Sequence, residues 1–268
     1  MNRRFLQAIV AAMATLAVGQ ANAGPIVVVN HSFETPLAGP AQFVGATNAA
    51  PLGWSVYNTV APNGNRFFGV WNPATTVSFV SGAPDGNNVG VVFLNNPTGT
   101  FEAGLQQTLG ATLQPFMTYT LEVEVGNFAP VPGPFNFTGF PGYRVEILAG
   151  GSVIAADNNL LAPPEGVFLT SLVSFTTGAT HAQIGQSLGI RLVNLNGPGV
   201  EVNFDDVRMS ETTIPTPASG AGLALGLLLV TGLRRYMAAN RRRGGTSHAE
   251  TIFSVAAAGG GLGGSRFG

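Results

Sequence analysis

Between positions 25 and 209 apolar side chains recur mostly at every second residue, in short runs cut by Gly, Pro and Asn. The pattern is clearest over 118–125, where Tyr119, Leu121, Val123 and Val125 fall on one side and Thr120, Glu122 and Glu124 on the other. A period of two marks a strand with one buried face. Tyr143, Val145 and Ile147 repeat it, with Arg144 and Glu146 turned away, and the run Ala149, Gly150, Gly151, Ser152 supplies a hairpin turn. The same reading predicts strands at 25–30, 54–58, 76–80, 88–94, 105–109, 118–126, 143–148, 152–156, 168–175, 189–194 and 200–209. No amphipathic helix of useful length and no repeat of fixed period interrupts residues 24–210. The predicted fold is therefore all-β, a jelly roll or sandwich.

Two stretches depart from alternation and place aromatic residues among Pro and Gly. Residues 66–73 carry Phe67, Phe68 and Trp71, and residues 127–140 carry Phe128, Phe135, Phe137 and Phe140. Read as loops, they either present these rings to a ligand or fold over the open end of the sandwich and cap its core. Trp54, behind Gly53 in a predicted strand, is expected in the core; His31 and His181 have no Cys or second His at ligand spacing and are expected to be structural.

The two ends of the chain read differently. Arg3 and Arg4, an apolar run over 5–18 and the small-x-small sequence Ala21, Asn22, Ala23 predict a signal peptide over 1–23. The chain has no cysteine, so no disulfide supports an exported domain. Residues 211–217 form a linker, 218–233 are apolar without a charge, and an arginine-rich, then Gly-rich tail fills 234–268. A helix over 218–233 would reach about 24 Å, short of the hydrocarbon thickness but workable as a membrane anchor with local thinning. Between Gly24 and Glu211, twelve carboxylates stand against four arginines, leaving that region near −8. Such a domain suits cations and neutral ligands rather than nucleic acid.

Carboxylates also break the last predicted strand. In the sequence from Val200 to Met209, Asp205 and Asp206 are adjacent, and a strand with one buried face cannot hide both. One must enter a bulge or meet a cation or a set of donors; the chain contains no lysine to serve. Glu34, just past a strand near the start, becomes a third partner if the first and last strands lie side by side. Glu34, Asp205 and Asp206 would then share a Ca2+ ion, which takes oxygen ligands; the other reading leaves all three as solvated loop or edge residues.

The sequences NHSFETP near the start, Gly53-Trp54 and the closing FDDVR resemble the carbohydrate-binding-module and galactose-binding-like jelly rolls of secreted bacterial proteins. The stretches 118–127, 142–159 and 181–209 resemble the calcium-dependent Stig cyclase group, exemplified by hapalindole cyclase, and the likeness covers about 25–210. That resemblance implies a jelly roll with a calcium ion near its termini. If the activity is also shared, it implies a catalytic acid at Asp205 and an aromatic pocket wall at Phe128. The tyrosine that assists such an acid has no counterpart, the chain reading Val91, Val92, Phe93, Leu94 near its place. The C-terminal end resembles a PEP-CTERM sorting signal, with Thr216 where that signal has Glu. It implies a sorting protease as a partner and a cell-surface or matrix destination.

Taken together, these features lead us to expect an exported, membrane-tethered or surface-sorted binding module. Its ligand would be an extracellular polysaccharide or another small neutral molecule held on Phe67, Phe68, Trp71, Phe128, Phe135, Phe137 and Phe140. A calcium-dependent cyclase and a structural matrix component are the other two readings. HExxH, P-loop and cysteine-nucleophile motifs are absent from the sequence.

Overall fold

A computed structural model of the chain describes residues 23–59, 65–73, 78–95, 101–130, 137–214 and 235. The expected signal peptide, all but its last residue, the apolar segment 218–233, the tail apart from Arg235, and Phe135 lie outside the described residues. Every described strand belongs to one compact unit, Gly19–Pro215. Its twelve strands are β1 (Ala23–Ile26), β2 (Phe43–Ala46), β3 (Ser55–Asn58), β4 (Asn65–Trp71), β5 (Val89–Asn95) and β6 (Ala103–Thr112), followed by β7 (Met117–Asn127), β8 (Tyr143–Ala149), β9 (Ser152–Asn158), β10 (Val167–Thr176), β11 (Ser187–Asn194) and β12 (Glu201–Thr213). They make two antiparallel sheets, one ordered β10-β7-β12-β5-β4-β2 with β1 also on β12, the other β3-β6-β11-β8-β9. The result is the expected all-β sandwich, jelly-roll-like, and among the described residues no helix is long and apolar enough to cross a membrane.

Alternation places the core where the sequence predicts it. Tyr119, Leu121, Val123 and Val125 of β7 are all fully buried between the sheets, facing residues such as Val145, Ile147 and Ile190 of the second sheet. Trp54 is buried too, stacked on Phe33 with centroids 5.3 Å apart. Glu146 lies on the outer face of its sheet as expected but is buried there, gripped by Arg144 Nε at 2.5 Å and Arg191 Nη1 at 2.9 Å. Ion pairing removes the cost of burying that carboxylate.

Three expectations change. The segment 66–71, read as an aromatic loop, is most of strand β4, because Gly69 in its middle meets Gly45 across the β2 ladder. A Cβ on Gly69 would lie 2.3 Å from the Val44 carbonyl and 2.6 Å from the Gly45 Cα, so glycine here permits a close strand pairing rather than breaking one. Residues 78–80, part of a predicted strand, lie in turns instead. Strand β2 carries no alternating signal, being exposed at all four positions.

The first and last strands do pair, Ala23 facing Thr212 and Ile26 facing Met209. In β12 the core positions run Val202, Phe204, then Val207, Met209. Asp205 and Asp206 thus occupy the space of one residue, and the ladder to β7 shifts register between Asp205 and Arg208. This is a bulge, with Asp206 at φ 46°. Upstream of it, Glu201 and Asn203 share the outer face of the first sheet, opposite in direction to Val202 and Phe204.

Candidate active site

Cross-strand register assembles a pocket on that outer face. Phe67 of β4 pairs with Phe93 of β5, and Phe93 pairs with Glu201 of β12, so two rings and a carboxyl stand in one row. The next row is low: Gly69 pairs with Val91, and Val91 with Asn203. Beyond it rise Trp71 and, just past the end of β7, Phe128, with centroids 5.9 Å apart. Aromatic rows flanking a row without large side chains leave a cavity of about 370 Å³, lined by Phe43, Phe67, Trp71, Val91, Phe93, Phe128, Phe137 and Glu201. That volume suits a small organic molecule. The rings brace one another at tilted or edge-on angles, Phe137 lying 5.5 Å from Phe93 and 5.4 Å from Phe128.

Glu201 is the one ionisable side chain among these lining residues. It is 6% exposed, and burial pushes its carboxyl up to about 7, against the pull of a hydrogen bond donated by Asn203 Nδ2 to Oε1 at 3.0 Å. A carboxyl with this affinity holds a proton near neutral pH and can still release it, the condition for a general acid.

Of the residues expected to bind a ligand, Phe67, Trp71, Phe128 and Phe137 meet in this cavity. Phe68 points the other way and is fully buried in the core between the sheets, as the alternation of a strand requires. Phe140 packs against that main core, 6.1 Å from Tyr143. Asp205 lies outside the cavity lining, four residues beyond Glu201 and so roughly 13 Å along the strand. It is fully buried under the loop before β5: Oδ2 accepts from the Asp85 N–H at 2.9 Å and Oδ1 from the Asp206 N–H at 2.8 Å. Burial pushes its carboxyl up to about 8, those hydrogen bonds opposing.

Glu34 grips the same loop from another side, its Oε1 accepting from the N–H groups of Asn87 and Asn88 at 2.8 and 2.7 Å. Asp206 pairs with Arg208 at 2.6 Å through Oδ2, while its Oδ1 is buried without a partner. The side chains whose ligand atoms lie within 4.8 Å of one another are His31, Asp85 and Asp206. Thus the three acids singled out in the sequence all border one loop, and the structure adds Asp85 and His31 to Asp206.

Sequence reasoning missed Glu201, Asn203 and Phe43 as site residues, and read Val91 and Phe93 only as part of a stretch that lacks a tyrosine. The available signal was the polar face of the last strand, on which Glu201 and Asn203 alternate with Val202 and Phe204.

The model of a family described as HpiC1 cyclase matches residues 24–210. A Stig cyclase, FisC, from Fischerella sp. TAU, solved in complex with (3Z)-3-(1-methyl-2-pyrrolidinylidene)-3H-indole, is 37% identical, with a TM-score of 0.66, covering 72% of this chain and 100% of that one. A cyclase from the same source, in complex with 4-(1H-indol-3-yl)butan-2-one, is also 37% identical at a TM-score of 0.65, with the same coverage. An apo cyclase from Fischerella sp. is 35% identical, with a TM-score of 0.65, over 72% of this chain and 98% of that one. No curated protein matches the chain. These findings overturn the expectation of a polysaccharide-binding module. The physical reason lies in the rings: Phe68 and Phe140 belong to the core, and Phe67, Trp71, Phe128 and Phe137 converge on a small cavity containing an acid rather than forming an open platform for a polymer.

Proposed function

Because the chain belongs to the HpiC1 cyclase family, we propose that it is a Stig-type cyclase acting on a small neutral indole-like substrate, with Glu201 as the proton donor. The observation that carries this reading is a buried carboxyl held near neutral affinity in an otherwise aromatic and aliphatic cavity. Glu201 gives its proton to a π bond or imine of the substrate. The cation so formed is attracted to the negative faces of the surrounding rings, each such contact contributing on the order of 1 kcal/mol or more once water is excluded. A carbon–carbon bond then closes at the cationic centre, and a proton leaves the ring system to the Glu201 carboxylate. Product and substrate have the same mass, and no oxidant or co-reactant is needed. An aromatic lining would receive indole compounds of the kind bound by the relatives through stacking and edge contacts, which supports this reading.

A structural Ca2+ belongs to the same proposal. The orphaned Oδ1 of Asp206 and the neighbouring Asp85 carboxylate fit a hard cation, with Glu34 and Asp205 holding the loop that carries Asp85. Bound there, the ion would supply positive charge that ties this loop to the β12 bulge.

The test of the acid is Glu201→Gln, assayed with 3-substituted indoles bearing an alkenyl side chain, following conversion to isomers of equal mass. Loss of the proton should reduce turnover by about 10²–10⁴-fold, and the wild-type rate should fall as pH rises through about 7. Full turnover by the variant would remove Glu201 from the reaction.

A further inference from the structure

Glu201 has a buried partner on its own strand. Asn203, two residues on and therefore on the same face of β12, is fully buried and donates from Nδ2 to Glu201 Oε1 at 3.0 Å. The same Nδ2 also reaches the Gly90 carbonyl at 3.4 Å, which fixes the amide to the neighbouring strand. Among the described residues Glu201 Oε2 takes no hydrogen bond, while the Asn203 Oδ1 is buried with no donor. An apolar side chain of similar size would fill this space without burying an unpaired amide oxygen. Packing therefore gives no reason for an amide here.

We propose that Asn203 is the positioning residue of the acid: by holding Oε1 it leaves Oε2 as the oxygen that carries and delivers the proton. This rests on the reading of Glu201 as the proton donor and adds how that donor is aimed. A neutral carboxyl bears its proton on one oxygen, and Oε1 is already an acceptor, so the proton sits on Oε2. When it departs, the hydrogen bond to Oε1 becomes charge-assisted and strengthens. Asn203 thereby stabilises the conjugate base that an apolar cavity would otherwise resist forming. Among the described residues no other group does so: the remaining side chains that line the cavity are all aromatic or aliphatic, and none is ionisable. The nearest other carboxyl on its own strand is Asp205, turned to the Asp85 N–H.

The experiment follows the titration of Glu201 by its side-chain 13C carboxyl resonance, together with the affinity for 4-(1H-indol-3-yl)butan-2-one across pH. In the wild type the Glu201 midpoint should lie near neutrality, with the Asn203 side-chain amide resonances titrating at the same midpoint. Asn203→Leu should raise the midpoint by about one pH unit, a tenfold change in proton affinity, and move the pH dependence of probe binding with it. In turnover of the same alkenyl indoles, kcat should fall about tenfold with KM within twofold, the signature of a group acting on proton transfer. An unchanged midpoint in a folded Asn203→Leu protein overturns the proposal. If that variant does not fold, a wild-type Asn203 amide that stays flat while Glu201 titrates overturns it equally. Failure of the underlying reading looks different: Glu201→Gln would then keep both turnover and the pH dependence of binding.

Discussion

At the scale of single residues, Glu201 has a consequence for stability as well as chemistry. Its carboxyl ionises in the unfolded chain near the ordinary 4.5 but only near 7 in the folded one. The folded state therefore binds the proton more tightly. The stability this contributes is fully present below about 4.5 and is lost as pH rises through about 7, up to roughly 3 kcal/mol. Glu201→Gln keeps the shape and cannot ionise, so its melting temperature relative to wild type should be close at pH 5 and higher by several degrees at pH 8. Thermal melts of both proteins at the two pH values check this, and a pH-independent difference would contradict it. An acid that destabilises the fold when ionised is one that the pocket keeps ready to donate.

At the scale of elements, the pocket depends on how closely β2 approaches β4. The two glycines face each other across that ladder, and the ring of Phe43 lies over both. Gly69→Ala would drive a Cβ into the Val44 carbonyl, a backbone atom that cannot swing aside. Strand β2 should detach as a unit, taking Phe43 from the cavity wall. Hydrogen exchange at 43–46 should rise sharply, and affinity for an indole probe should fall about tenfold. Because β2 is exposed throughout, the melting temperature should drop by only a few degrees. Unaltered exchange over 43–46 would show that the glycine pair does not govern this docking.

At the scale of the whole molecule, the two chain-end strands are held side by side, and the proposed Ca2+ would act beside that junction. A ligand that binds only the folded state raises stability by RT ln(1 + [L]/Kd), about 2.7 kcal/mol at a hundredfold excess over Kd. Chelation should therefore lower the melting temperature by several degrees. Asp206→Asn, which removes the carboxylate's negative charge, should weaken the response, and equal melts with and without chelator would exclude a structural ion.

The alternation over 118–125 and 143–148, repeated in many short turn-bounded runs with no amphipathic helix among them, pointed by itself to an all-β sandwich or jelly roll, because half-buried strands then have only other strands to cover them. The adjacent aspartates likewise posed a choice between a bulge and a buried carboxylate with partners, since consecutive strand residues point to opposite faces, and the register of β12 on β7 shows the bulge. What the sequence could not contain was which strands become neighbours. Phe93, Phe67 and Glu201 are far apart in the chain and become one row only through the β4, β5 and β12 register. The burial that turns Glu201 from one of twelve carboxylates into an acid near neutrality arises from that packing, and so does the division of Phe67 from Phe68 into pocket and core. Residue types and local period are properties of the chain, whereas proton affinity and ligand shape depend on what surrounds a side chain, and only the tertiary structure supplies the surroundings.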